Sequence, residues 1–87
     1  MEFEWDSEKA TANLRKHRIS FEEASSTFGD PLAITFHDPD HSVGEVRSLT
    51  FGVSRSGALL VVSCWSFATT VVIQASVLAV DRHGIIG

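Results

Sequence analysis

From Val61 to Gly87 the chain carries only two charged side chains, Asp81 and Arg82. No other feature restricts its fold as much. A strand with one face in water alternates apolar and polar residues, whereas a stretch that is apolar on both faces belongs inside a sheet. Leu59 to about Trp65 is such a stretch and reads as a central strand. Thr69-Thr70-Val71-Val72-Ile73 is β-branched and predicts a further strand. Gln74 to Val80 fits either a continuation of that strand or a helix.

The preceding part is charged and punctuated by local signals. Phe3 and Trp5 alternate with Glu2, Glu4 and Asp6, which predicts a short strand with one apolar face. Asp6 or Ser7 caps a helix that runs through Lys9 to about His17, with Glu8 in its first turn. Ala10, Leu14 and His17 share one face of it. Ser20-Phe21-Glu22-Glu23 is a capping box, in which the Glu23 carboxylate is expected to reach back to Ser20. Ile19 staples onto Ala24, and Phe21, Ala24, Ser25 and Phe28 form the inner stripe of a second helix. Gly29-Asp30-Pro31 ends that helix.

Leu32, Ile34 and Phe36 then alternate with Ala33, Thr35 and His37 as a strand, followed by the turn-rich loop Asp38-Pro39-Asp40-His41-Ser42. Glu45 to Val53 is a second strand of this series, with Leu49, Phe51 and Val53 on one face. Ser54-Arg55-Ser56-Gly57 supplies the hairpin turn to Leu59. The expected fold class is α+β, in the order β-α-α-β-β-β with one more strand. Short connections predict an antiparallel meander, with both helices on one face of the sheet.

Bulk properties narrow the function classes. A chain of 87 residues is expected to form one small domain, 1–87, with a modest core that a partner would help to stabilise. A formal charge of -4 and a pI near 5.4 oppose non-specific binding to nucleic acid, which depends on Lys and Arg neutralising phosphates. Cys64 is the one cysteine, so no disulfide forms within the chain and a reducing compartment fits best. The acidic start Met1-Glu2-Phe3-Glu4 is no secretory signal, and the apolar run from Thr69 to Val80 is shorter than the roughly 20 residues of a membrane span. A cytoplasmic protein without membrane contact is the expectation.

Several pieces of this sequence, in order and at matching spacing, resemble the BrnT family of bacterial toxins. They are Phe3-Glu4-Trp5-Asp6 with Lys9, Asn13-Leu14-Arg15-Lys16-His17, Ser20-Phe21-Glu22-Glu23-Ala24, and Phe28-Gly29-Asp30-Pro31-Leu32-Ala33. Asp38-Pro39-Asp40-His41-Ser42, Gly44-Glu45, Arg47 and Leu59-Leu60-Val61-Val62-Ser63 complete the set. The resemblance covers about residues 1–63. It implies a RelE-like fold and a type II toxin–antitoxin role, in which the toxin is a ribonuclease that slows growth. It also implies neutralisation by a BrnA-like antitoxin. The complex of the two would repress its own operon, so DNA is contacted only through the antitoxin.

Residues 64–87 depart from the resemblance. The family usually continues with a strand and an Arg-rich helical stretch ending near a Tyr, whereas this chain reads Cys64-Trp65-Ser66-Phe67 and then an apolar run. Two readings account for the change. One is a reading-frame shift near codons 63 and 64, since CGN arginine codons read one base out of frame often give Val, Ala or Ser. The other is a divergent sequence with a more apolar final strand. The apolar tail also predicts poor solubility for the chain made alone.

A metal-independent ribonuclease needs a base for the 2′-OH proton, cations for the charged phosphorane and an acid for the leaving oxygen, and it takes no cofactor. Arg47 lies two residues after Glu45, so the two side chains share a strand face. They read as base and phosphate clamp, or equally as a surface ion pair. His41 is a further candidate acid or base, because an unperturbed histidine side chain changes charge near neutrality. His37, Asp38, Asp40 and His41 are metal-ligating types, but Asp, Pro and Ser are also ordinary turn formers, and no metal is expected.

Arg15, Lys16 and His17, followed by Arg18, form the only basic cluster. It reads as a contact for RNA or antitoxin, or as charge complementing a helix C-terminus. Trp65 and Phe67 read as base-stacking side chains or as core and interface. A member that has lost its Arg-rich end would be a catalytically inactive remnant that only binds antitoxin. A non-enzymatic interaction module using an exposed edge strand at Val71 to Ile73 is the third reading.

Overall fold

The computed structural model describes residues 2–37, 46–81 and 84–85, with side chains for 2–37 and 46–79. The loop Asp38 to Ser42, Glu45 and the tail around His83 lie outside the described residues. Strand β1 (Glu2–Trp5) leads into helix α1 (Ser7–His17), and helix α2 (Phe21–Ser26) runs into a 3₁₀ turn (Thr27–Gly29). The strands β2 (Ile34–His37), β3 (Val46–Val53), β4 (Leu59–Phe67) and β5 (Thr70–Leu78) follow. Two short strands, β6 (Val80–Asp81) and β7 (Gly84–Ile85), pair with each other.

Local signals account for most boundaries. The Asp6 carboxylate accepts from the backbone N–H groups of Glu8 and Lys9, at 2.8 and 3.1 Å, and so starts α1. Arg18 ends it in the left-handed region, with its N–H returned to the Leu14 carbonyl. The Ser20 hydroxyl accepts from the Glu23 N–H at 3.0 Å and starts α2. In the β3–β4 turn Gly57 takes a positive φ of 88°, which a side chain would strain.

The five main strands form one sheet in the order β1-β5-β4-β3-β2. β2 to β5 make the expected antiparallel meander. β1 departs from the expectation: it pairs parallel with β5, Phe3 opposite Val71 and Trp5 opposite Ile73, so the sheet is mixed. The two helices lie between β1 and the meander in sequence, and the return crosses the sheet to its far side. β5 is therefore paired on both sides, and the edge-strand reading of Val71 to Ile73 is overturned.

β5 runs on to Leu78 rather than turning helical. Ser63 stands opposite Ala75 while Cys64 stands opposite Ile73, which leaves Gln74 as the extra residue of a bulge. The bulge changes which residues face inward: Val71 and Ile73 before it, Ser76 after it.

The core lies between the sheet and the helices. Phe21, Ala24, Leu60, Val62 and Ile73 are fully buried, with Ile19 beside them and Phe3, Trp5 and Phe28 at the margin. The Trp5 and Phe21 rings meet edge to face at 6.1 Å, and Phe3 meets Phe28 at 5.3 Å. Gly52 lets β3 approach the 3₁₀ turn, because a Cβ there would sit 2.7 Å from the Thr27 methyl.

Two expectations for the helices are corrected. Leu14 is half exposed, and the buried residue of α1 is Asn13. Its amide donates to the carbonyls of Ile19 and Ser76 at 3.0 and 2.9 Å and accepts from the Ser76 N–H at 3.1 Å. The packing site is filled by a polar side chain because β1 ends at Trp5, opposite Ile73, and so leaves the Ser76 backbone groups on that side of β5 needing partners. The Glu23 carboxylate accepts from Ser54 at 2.8 Å and from Ser56, so it ties α2 to the β3–β4 turn and not to Ser20.

Candidate functional site

Alternation along β3 decides which side chains leave the core. Ser48, Thr50 and Gly52 are buried beneath the helical layer, so Arg47, Leu49 and Val53 emerge on the face opposite α1 and α2 with the half-buried Phe51. The hairpin fixes what they meet. Val53 stands opposite Leu59, and counting back along β3 and forward along β4 places Arg47 opposite Trp65. The Arg47 guanidinium carbon lies 4.7 Å from the centre of the Trp65 ring, within reach of a cation–π contact of about 0.5–1 kcal/mol at a solvent-facing site.

β2 adds the third wall. Phe36 stands opposite Leu49, and its ring meets that of Phe51 at 5.6 Å in a T-shaped arrangement. Between β2 and β4 lies an open pocket of about 440 Å³ lined by Phe36, His37, Arg47, Ser48, Leu49, Ser63 and Trp65. It joins one permanent cation, two large aromatic rings and a histidine on a mostly apolar floor. Such a set suits a ligand with both an anionic and a flat aromatic part.

The expected site residues are distributed unevenly. Arg47 is in this pocket, and His37 lines it. Glu45 and His41, with Asp38 and Asp40, lie outside the described residues. Arg15, Lys16 and His17 are in the last turn of α1, on the helical side of the sheet and away from Arg47. Even there they divide. Lys16 and His17 line a hollow with Lys9, Asn13 and Gln74, while Arg15 faces another beside Ser7, Glu8 and Thr11. Among the described residues, no three His, Cys, Asp or Glu side chains are grouped to hold a metal ion.

Cys64 is buried on the helical side, 4.0 Å from the Ser48 hydroxyl. Burial pushes its thiol pKa up, so it stays protonated and poorly nucleophilic at neutral pH. Sequence reading had not joined Trp65 to Arg47, or given Phe36 a role beyond strand alternation. The turn Ser54 to Gly57 held the first signal, since it sets the register of the two strands.

The geometry so far defines a small α+β protein with a covered sheet face, an open one, and an Arg–aromatic pocket on the open side. The sequence model of the family described as "Ribonuclease toxin, BrnT, of type II toxin-antitoxin system" matches residues 5–76. The chain belongs to the BrnT family, a family of type II toxin–antitoxin ribonuclease toxins. The match extends past residue 63, where the resemblance by motif ends, and takes in the end of β4 and most of β5. No curated protein matches the chain. No helix among the described residues is long and apolar enough to cross a membrane.

Proposed function

We propose that this protein is the toxin of a type II toxin–antitoxin pair, with a RelE-like fold and its ribonuclease site at the Arg47–Trp65 pocket. The observation that carries the reading is the placement of Arg47 over Trp65 at the wall of an open pocket, in a chain of a ribonuclease toxin family. Arg47 holds the scissile phosphate and stabilises the phosphorane through its planar donors. Glu45 is the proposed base for the 2′-OH proton, with His41 as the further acid or base. No metal or cofactor enters this scheme.

A BrnA-like antitoxin is the proposed protein partner, and DNA is reached only through it. The open face offers it Ile34, Leu49, Val53 and Leu59, all substantially exposed. Arg15, Lys16 and His17 lie across the sheet from Arg47, which favours antitoxin contact over contact with the phosphate being cleaved. The cytoplasm, where RNA and antitoxin are found, is the proposed location.

A second reading has its own support. Val61 to Val80 contains no Lys or Arg, so the open face gains no cation from β4 or β5 beside Arg47. That favours a non-catalytic family member that retains antitoxin binding. Expression in bacteria separates the two. Under the first, the wild type arrests growth and cleaves RNA, and Arg47→Ala cleaves it about 10²–10³-fold more slowly with folding intact. A wild type that leaves growth and RNA untouched yet still binds the antitoxin establishes the second. Resequencing the gene from the codon for Val61 shows in addition whether an Arg-rich frame runs beside the apolar one.

A further inference from the structure

We infer that the pocket takes single-stranded RNA through one unpaired base laid on Phe36, and that Trp65 is a positioning residue which holds Arg47 against the adjoining phosphate. The inference rests on the reading of this pocket as the RNA site and adds the substrate class and two residue roles.

Phe36 is a large aromatic side chain with 58% of its surface exposed, on the edge strand of the sheet. Its aromatic contact, with Phe51, is T-shaped, a geometry that supports a ring without stacking on it. Phe36 stands opposite Leu49, two residues along β3 from Arg47, so the platform and the cation are diagonal neighbours on one sheet face. A base and its own phosphate are joined through one sugar, which suits that separation. Bases in a duplex are paired and stacked, whereas an unpaired stretch turns a base out onto a side chain without the cost of breaking a pair.

Arg47 alone is a long, exposed side chain on the open face of an inner strand, free to sample many rotamers. The Trp65 ring beneath its guanidinium narrows that choice. In an acidic chain with few cations, binding depends on how well each one is placed. A charge held over a ring loses less freedom on meeting phosphate than one that must first be ordered.

The test measures binding of fluorescein-labelled oligouridylate and oligoadenylate of about ten nucleotides. Both are 2′-O-methylated so that they cannot be cleaved. An oligomer of the same length with abasic sugars removes the bases. The wild type binds both base-bearing oligomers and binds the abasic one about tenfold more weakly. Phe36→Ala weakens the base-bearing oligomers about tenfold, leaves the abasic one unchanged and keeps the salt dependence. Arg47→Ala lowers the slope of log affinity against log salt by about 0.7. Trp65→Ala reproduces that loss of slope, and Trp65→Phe, which keeps a ring beneath the guanidinium, restores it.

Equal affinity for abasic and base-bearing oligomers overturns the inference. So does a wild type that binds neither, or a set of substitutions that weakens only the antitoxin complex. Cleavage is assayed separately on unmodified RNA. A chain that shows the binding pattern but never cleaves refutes the ribonuclease reading and leaves the binding inference standing. A chain that cleaves while Phe36→Ala and Trp65→Ala are silent does the reverse.

Discussion

The two faces of the sheet have opposite characters. On the helical side Leu60, Val62 and Ile73 are completely buried, and polar residues there are buried with them: Asn13, Ser48, Thr50 and Ser76. On the other side Ile34, Phe36, Leu49, Val53, Leu59 and Phe67 keep between 38% and 60% of their surface exposed. The covered face spends its sequence on specifying one arrangement, down to an amide that pairs with the backbone groups of Ile19 and Ser76. The open face holds apolar side chains that lie outside the buried core. Contiguous exposed apolar surface is where a partner protein would be expected to bind. The pocket of Arg47 and Trp65 opens on this side, so the proposed site lies on the face opposite the buried core.

The sharpest way to break that comparison is on the covered face. Asn13→Leu keeps the volume but removes the three hydrogen bonds that join α1 to Ile19 and Ser76. The backbone groups left behind are buried. The expected loss is about 3 kcal/mol, read as a lowered denaturation midpoint in urea. A loss below about 0.5 kcal/mol, the range of ordinary surface substitutions, would mean that the covered face is less exacting than it looks.

Asn13 also shows where sequence reading stops. The cap at Asp6, the cap at Ser20, the turn at Gly57 and the alternation of β3 depend on neighbours a few residues apart, and all were legible. The parallel pairing of β1 with β5 joins Phe3 to Val71, and nothing local marks it. The Gln74 bulge was equally hidden, because a run of β-branched and small residues carries no mark of register. The place of Asn13 follows only from where β1 stops beside β5, whereas helical periodicity favours Leu14. The candidate site divides the same way. Arg47 was legible from its parity with Glu45 and from the family motif, while its contact with Trp65 needed the hairpin register.

A smaller effect is expected from the tie between α2 and the β3–β4 turn. Hydrogen bonds from Ser56 and Ser54, with Arg55 nearby, hold the Glu23 carboxyl below its ordinary 4.5. The folded state therefore binds that proton less readily than the unfolded chain. The stabilisation is fully present above about pH 4.5 and is lost as pH falls through the lowered folded value. Asp30 acts in the same direction, lowered by the backbone N–H groups of Val53 and Leu32. Both groups are largely in water, so the acid decline is shallow. Glu23→Gln should flatten part of the fall in melting temperature between about pH 5 and pH 3, leaving the share due to Asp30. An unchanged acid limb would show that the tie adds nothing to the covered side.

The smallest effect on stability belongs to the open face, and there the comparison is most exposed to refutation. Ile34→Thr and Phe67→Thr each replace a half-exposed apolar side chain with one that still favours a strand. Neither residue belongs to the buried core or lines the pocket. Each substitution should move stability by no more than about 0.5 kcal/mol while raising the concentration at which the isolated protein stays in solution. Together they should weaken a complex with the antitoxin, because they thin the apolar surface that such a partner would cover. A stability loss above about 1 kcal/mol would instead place these side chains within the fold proper. The open face would then be a second, shallower core, and its exposed apolar surface would no longer argue for a partner.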